Sequence, residues 1–254
     1  MRSVNGTKML RAVQKFENKC QKITEKQLPR MGKKAPTCYE HLGQVLAYAD
    51  MIGSCTFGCP GPSEGAHAIW YLLARTSGFG RAAIRLAKMG FYDEALILVR
   101  SVGEIANLFA LFIEVPGAVD EWRNSDRIYR LKHFSPAQVR KRISAVGGTI
   151  VMDESKYASL CEISTHPVPN LRPQRFNHAG KSMTGGIIFQ GAGFLVALNE
   201  LAMPASLLLA FAARVCKVPR EPFDEITKAC GLCLRSAGGV VLGSVETVWR
   251  KRET

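Results

Sequence analysis

Acidic residues are scarce in this chain: 21 Asp and Glu stand against 34 Lys and Arg in 254 residues, a net charge of +13. A basic excess of that size points to an anionic partner, such as RNA. Period-two alternation of apolar and polar residues bounded by hairpin turns is missing throughout, which excludes a β-rich fold. Also missing is a continuous apolar run after Met1-Arg2-Ser3-Val4. A secretory leader needs such a run, so a cytoplasmic location is expected. In that reducing setting the eight cysteines are expected as thiols or metal ligands. Hydrophobic residues make up 47% of the chain, enough to build a core and too many for a disordered polypeptide.

The positive charge is local. Residues 1–34 hold ten basic side chains and only Glu17 and Glu25 as acids, so they supply +8 of the total. Within them Val13, Phe16, Cys20 and Ile23 recur at helical spacing, the pattern of a basic amphipathic helix. Its apolar stripe is expected to pack on the body, with the lysines solvated or in contact with an anionic surface. Two acids and no large apolar residue expected outside the stripe weigh against a membrane role. A second basic cluster, Arg123, Arg127, Arg130, Lys132, Arg140, Lys141 and Arg142, has Asp126 as its only internal acid and is the candidate nucleic-acid contact. Residues 1–37 therefore read as a basic helix and linker, and 38–254 as a single helical domain.

Helical periodicity runs through the remainder. Helices are expected over about 39–52, 64–89 and 93–114, the last two joined by a short link at Gly90 and so forming an antiparallel hairpin. Further helices are expected over 118–132, over 136–146 with Ser135 as N-cap, and over 157–163, followed by a proline-bearing loop over 167–184. The stretch 185–215 is the most apolar, but Asn199, Glu200 and Pro204 interrupt its middle and mark it as buried core rather than a membrane span. A heptad-like stripe, Phe223, Ile226, Cys230, Cys233, Ala237, Val240 and Ser244, closes the chain. The expected architecture is an all-α helical bundle built on a central antiparallel hairpin, with added N- and C-terminal helices.

Motifs for chemistry are few. Cys55, Cys59, Cys230 and Cys233 could supply four thiolates to zinc, but the second pair lies on an apolar stripe, where cysteine behaves as a small hydrophobe. No metal is assigned. Gly180-Lys181-Ser182 ends like a phosphate loop, yet Arg175 stands where its first glycine is required, and no cofactor is assigned. Arg127 with His133, and Arg172 with His178, match the Arg-x4-6-His pattern of HEPN-type ribonucleases at a frequency that chance supplies. More informative are Arg100, Glu104 and Asn107, which share one face of an otherwise apolar helix. They read either as a buried Arg–Glu pair fixing helix register or as a polar pocket for an anionic ligand, which His166 could complete.

The segments Leu73-Ala74-Arg75, Glu94 through Glu104, Trp122, Lys132 through Pro136 and Tyr157 through Pro167 resemble a bacterial family of all-helical domains of unassigned function. That family is distantly similar to HEPN-type domains of toxin and phage-defence systems. The resemblance covers roughly residues 65–170. It implies Arg100, Glu104 and His166 as site residues, with RNA as substrate. Ser159, Leu160 and Cys161 occupy the positions before His166 where a HEPN arginine would stand. Two readings follow: an RNA-binding protein or ribonuclease, and a non-catalytic helical module or homodimer in which Arg100 and Glu104 are structural.

Overall fold

The computed structural model describes residues 6–54, 66–164 and 189–237. Ten α-helices and one 3-10 turn make up these residues, with no strand among them. They are α1 (Gly6–Gln27), α2 (Lys34–Gly53), α3 (Ala66–Met89), α4 (Tyr92–Glu114), α5 (Ala118–Asn124), α6 (Arg127–His133), α7 (Pro136–Ala145), α8 (Glu154–Ser164), α9 (Gly191–Val215) and α10 (Arg220–Ser236). The expected all-α bundle is the observed one.

The hairpin of α3 and α4 is present, turning at Gly90, whose φ of +92 is a left-handed conformation that glycine adopts without steric cost. The helix at the centre is nevertheless α9. It packs on α4 along its length and also touches α2, α3 and α10. Leu201, Leu208, Leu209, Phe211 and Ala212 on it are buried. Pro204 removes one backbone donor, yet the helix continues through it because packing on every side holds the backbone in place. Both α4 and α9 are long and apolar enough to cross a membrane by length and composition, and in the fold they are each other's main partners. Close approach at their start depends on Gly193, where an added Cβ would lie 2.7 Å from the Tyr92 ring.

Three expectations need correction. The helix expected over 118–132 is two helices, because Ser125 and Asp126 turn extended and the Asp126 carboxylate accepts from the Tyr129 N–H at 2.7 Å to cap α6. Ser135 occupies the N-cap position of α7 but makes no side-chain cap bond. Of the expected stripe of α1 only Cys20 docks, next to the buried Thr24, whereas Val13, Phe16 and Ile23 are exposed, as is Leu10. The anchor there is Thr24, whose hydroxyl donates to the Lys88 carbonyl at 2.8 Å, beside the Lys88–Glu25 ion pair at 2.6 Å.

Candidate functional site

The site grows out of the middle of α4. Val99, Val102 and Ala106 of this helix are in the core, so Arg100 and Glu104, one turn apart, lie along the boundary of the buried face. There α8 crosses α4. Gly103 makes the crossing possible: an added Cβ would sit 2.2 Å from the Met152 methyl and 3.2 Å from its Cβ. Asn107 then fastens the strap leading into α8. Its carbonyl accepts from the Val151 and Met152 N–H groups at 2.8 and 3.1 Å, and its amide donates to the Met152 carbonyl at 2.8 Å. Asn107 is therefore a structural clamp and not a wall of a polar pocket, which corrects one part of the sequence reading.

With α8 held in this way, three further groups meet at Arg100, and Arg140 approaches one of them. Its Nε lies 3.4 Å from the Glu104 carboxylate, and its Nη1 donates to Cys161 Sγ at 3.2 Å. Its guanidinium carbon is 5.6 Å from the Tyr157 ring centroid. The same ring is approached at 5.1 Å by Arg140 of α7. Two guanidiniums thus meet one phenol and one carboxylate. The Arg100 side chain is 19% exposed and that of Glu104 30%, so the cluster borders solvent.

The electrostatics follow from this placement. Burial pushes the Glu104 carboxyl above its ordinary range, and the charges of Arg100 and Arg140 only partly oppose it. Burial also raises the Tyr157 phenol, reinforced by the negative charge of Glu104. For Arg100 burial works against the charge, but Cys161, Glu104 and Tyr157 together outweigh it and the net direction is upward. With two guanidiniums against one carboxylate, the cluster carries an excess of positive charge. A planar guanidinium next to an aromatic ring suits a phosphate or carboxylate, because its N–H fork matches two acceptor oxygens.

The second basic cluster separates into two groups. Val139 and Ile143 of α7 are buried, so Arg140 and Arg142 flank that stripe on opposite sides and Lys141 faces away. Arg142 grips Glu121 with two bonds of 3.1 and 2.6 Å and lies over the Phe134 ring. Arg123 pairs with Asp120 at 3.3 Å, and Arg130 donates to the Ser125 carbonyl. These three have structural partners, two of them acids just upstream of the segment over which charge was counted. Arg127, Lys132 and Lys141 are exposed. His133 stacks on Tyr129 at 4.2 Å between centroids, which accounts for its place in the fold without the Arg127 match.

Other sequence candidates lie elsewhere. His166, Cys55, Cys59, Arg172, His178 and the Gly180-Lys181-Ser182 run fall outside the described residues, as do Val240 and Ser244. Cys230 and Cys233 are core residues; burial pushes the Cys233 thiol up to about 12 and the Cys230 thiol higher. Thiols held protonated in this way are poor metal ligands. Among the described residues no group of three or more His, Cys, Asp or Glu converges as a metal site would require. A groove of about 870 Å³ between α2 and α3 carries Glu40, Asp50, Arg81, Arg85 and Lys88 in its lining; Arg81 is paired with Asp50, and Lys88 reaches out of the groove to Glu25 of α1. Sequence reasoning missed Tyr157, Cys161 and the role of Arg140 at Arg100. Only the crossing of α8 over α4, led in by the strap whose Met152 packs on Gly103, brings them there.

No family model, no curated protein and no solved structure matches this chain.

Proposed function

We propose that this protein binds RNA, with the Arg100–Tyr157–Arg140 cluster receiving a backbone phosphate and Lys141, Arg127 and Lys132 extending the contact. The observation that carries this reading is the charge imbalance at the cluster. Two guanidiniums surround one carboxylate whose ionisation burial disfavours, and a phosphate supplies the missing negative charge. In the same reading the chain is a cytoplasmic ribonuclease of toxin or phage-defence type. Arg100 and Arg140 stabilise charge on the phosphate, and His166, two residues beyond the end of α8, transfers the proton at the ribose hydroxyl.

Incubation of the purified chain with single-stranded RNA, followed by native and denaturing electrophoresis, tests both parts. Retarded RNA supports binding, and fragments that vanish with His166→Ala support cleavage. Intact, unretarded RNA at low salt overturns the reading.

One observation favours the alternative of a non-catalytic interaction module. Arg100 already has Glu104, Cys161 and Tyr157 as partners, which is how a register-fixing buried pair behaves. Under that reading Arg100→Ala lowers thermal stability and leaves any RNA binding by the folded protein unchanged.

A further inference from the structure

The outer face of α1 is a row of cations. Arg11, Lys15, Lys19, Lys22 and Lys26 follow one another at steps of three or four residues and fall within an arc of roughly 80° around the helix. The row runs roughly 22 Å along the helix axis. All five side chains are exposed. Buried Cys20 and the bond from Thr24 to Lys88 hold the opposite side of the same helix on the body, so the row points outward. Among the described residues none of the five forms an ion pair.

This row works against its own helix. Arg11 and Lys15, Lys15 and Lys19, and Lys22 and Lys26 are neighbours four residues apart, a spacing at which like charges destabilise. A solvated helix face ordinarily mixes acids among its lysines. The acids of α1 stand elsewhere: Glu17 lies on the side of Cys20 and Thr24, and Glu25, whose charge Lys22 also feels, is bound to Lys88 of α3.

An external polyanion relieves this repulsion, and charge and shape select which one. A second copy meeting the row with its own would add five more cations. The residues outside the described ones carry seven Lys and Arg against Glu64, Glu246 and Glu253, so their charge does not complement it either. A helix in a membrane interface needs apolar side chains to enter beside its cations. Between its cations this row offers only Ala12 and Asn18, and the exposed Leu10, Val13 and Phe16 lie roughly 100° or more around the helix from its centre line. A narrow row of cations fits a line of negative charge, the phosphate backbone of a nucleic-acid strand.

We infer that the outer face of α1 is a second RNA contact, made to the backbone and indifferent to base sequence. It is separate from the Arg100–Tyr157–Arg140 cluster, since α1 packs on α3 whereas the cluster is built from α4, α7 and α8. The choice of RNA as the strand rests on the function proposed above.

A salt titration of a labelled single-stranded RNA with the full chain and with Lys15→Gln/Lys19→Gln/Lys22→Gln, read by fluorescence anisotropy, tests it. The triple variant is expected to bind at least tenfold more weakly at low salt. Its log–log salt slope is expected to be shallower by about 2, the share of three phosphate contacts to a single strand. Its melting temperature should be no lower than that of the intact chain, because the substitutions remove like-charge neighbours from an exposed face. Lys19→Gln alone should lower the slope by about 0.7, and Lys15→Arg/Lys19→Arg/Lys22→Arg should keep both affinity and slope. Equal affinity and slope in the glutamine variant, beside clear binding by the intact chain, overturns the α1 contact and leaves the Arg100 cluster standing. No binding by the intact chain overturns both. Binding lost in the glutamine variant but kept in Arg140→Ala supports the α1 contact and overturns the cluster. Adsorption to phosphatidylglycerol vesicles that depends on the three lysines, with RNA binding unaffected by them, also overturns the α1 contact.

Discussion

Arg100 of α4 and Cys161 of α8 are joined by a hydrogen bond of 3.2 Å from guanidinium to sulfur, sixty-one residues apart in sequence. The bond ties the charged edge of α4 to the last turns of α8, close to the point where the chain continues toward His166. Replacing Arg100 removes this bond, the contact with Tyr157 and the counter-charge of Glu104 together. Arg100→Ala is expected to cost about 2–4 kcal/mol, as for one partner removed from a partly buried pair. Arg100→Lys is expected to recover less than half, because an ammonium lacks the planar fork that reaches Glu104 from Nε and Cys161 from Nη1. Urea denaturation followed by circular dichroism checks both values.

Asn107 binds three backbone groups of the strap before α8. Asn107→Ala leaves two N–H groups and one carbonyl unpaired in a buried setting and is expected to cost about 3 kcal/mol or more. Asn107→Asp keeps the acceptor but loses the donor and adds a buried charge, so it is expected to be at least as damaging. The same denaturation experiment decides. A loss below about 1 kcal/mol would mean that the strap finds other partners.

Gly193→Ala sets two effects of opposite sign against each other. Alanine gains about 1 kcal/mol of helix propensity over glycine. Against this, the added methyl lies 2.7 to 3.0 Å from three atoms of the Tyr92 ring, which is rigid and whose hydroxyl accepts from the Gln190 N–H at 2.8 Å. Overpacking costs about 1–3 kcal/mol, so net destabilisation is expected, and Tyr92→Leu in the same chain should reduce it. A double-mutant cycle on thermal melts measures that coupling.

Glu121 gives a pH dependence with a definite sign. Its two bonds from Arg142 hold its carboxyl below the ordinary value of 4.5, so the folded chain binds this proton less readily than the unfolded one. The stability it contributes is fully present above the ordinary carboxylate range and disappears as pH falls through the lowered folded value. The Glu121 side chain is 31% exposed, so the contribution is modest, about 1 kcal/mol. Glu121→Gln is expected to melt below the unmodified chain at pH 7 and together with it in strong acid. A gap that persists unchanged in acid would show that the ionised pair is not its source.

Much of the architecture was legible because helices advertise themselves by period. The hairpin of α3 and α4, the buried character of 191–215 and the pairing of Arg100 with Glu104 all followed from spacing along one helix. Contacts between distant segments leave no such mark. Tyr157 and Cys161 reach Arg100 only because Gly103 lets Met152 approach α4, and a glycine inside a helix does not reveal what will pack on it. Charge counting failed for a related reason: Arg142 was counted with the basic cluster, while its partner Glu121 stands two residues outside the counted segment. The exposure of Phe16 was equally hidden, since a stripe at helical spacing shows that a face exists and not how far the body extends beneath it.

The central claim is that the cation excess around Tyr157 receives RNA phosphate, and Arg140 is the residue that separates this claim from a purely structural role. It approaches the Tyr157 ring and adds charge near Glu104, while the core side of α7 rests on Val139 and Ile143. The deciding measurement is fluorescence anisotropy of a labelled single-stranded RNA titrated with the intact chain and with Arg140→Ala over a range of salt concentrations. Binding by the intact chain is expected to weaken linearly in log–log form with salt. Arg140→Ala is expected to bind at least tenfold more weakly at a melting temperature within a few degrees of the original. Equal affinity of the two proteins, or no binding by the intact chain at low salt, would contradict it.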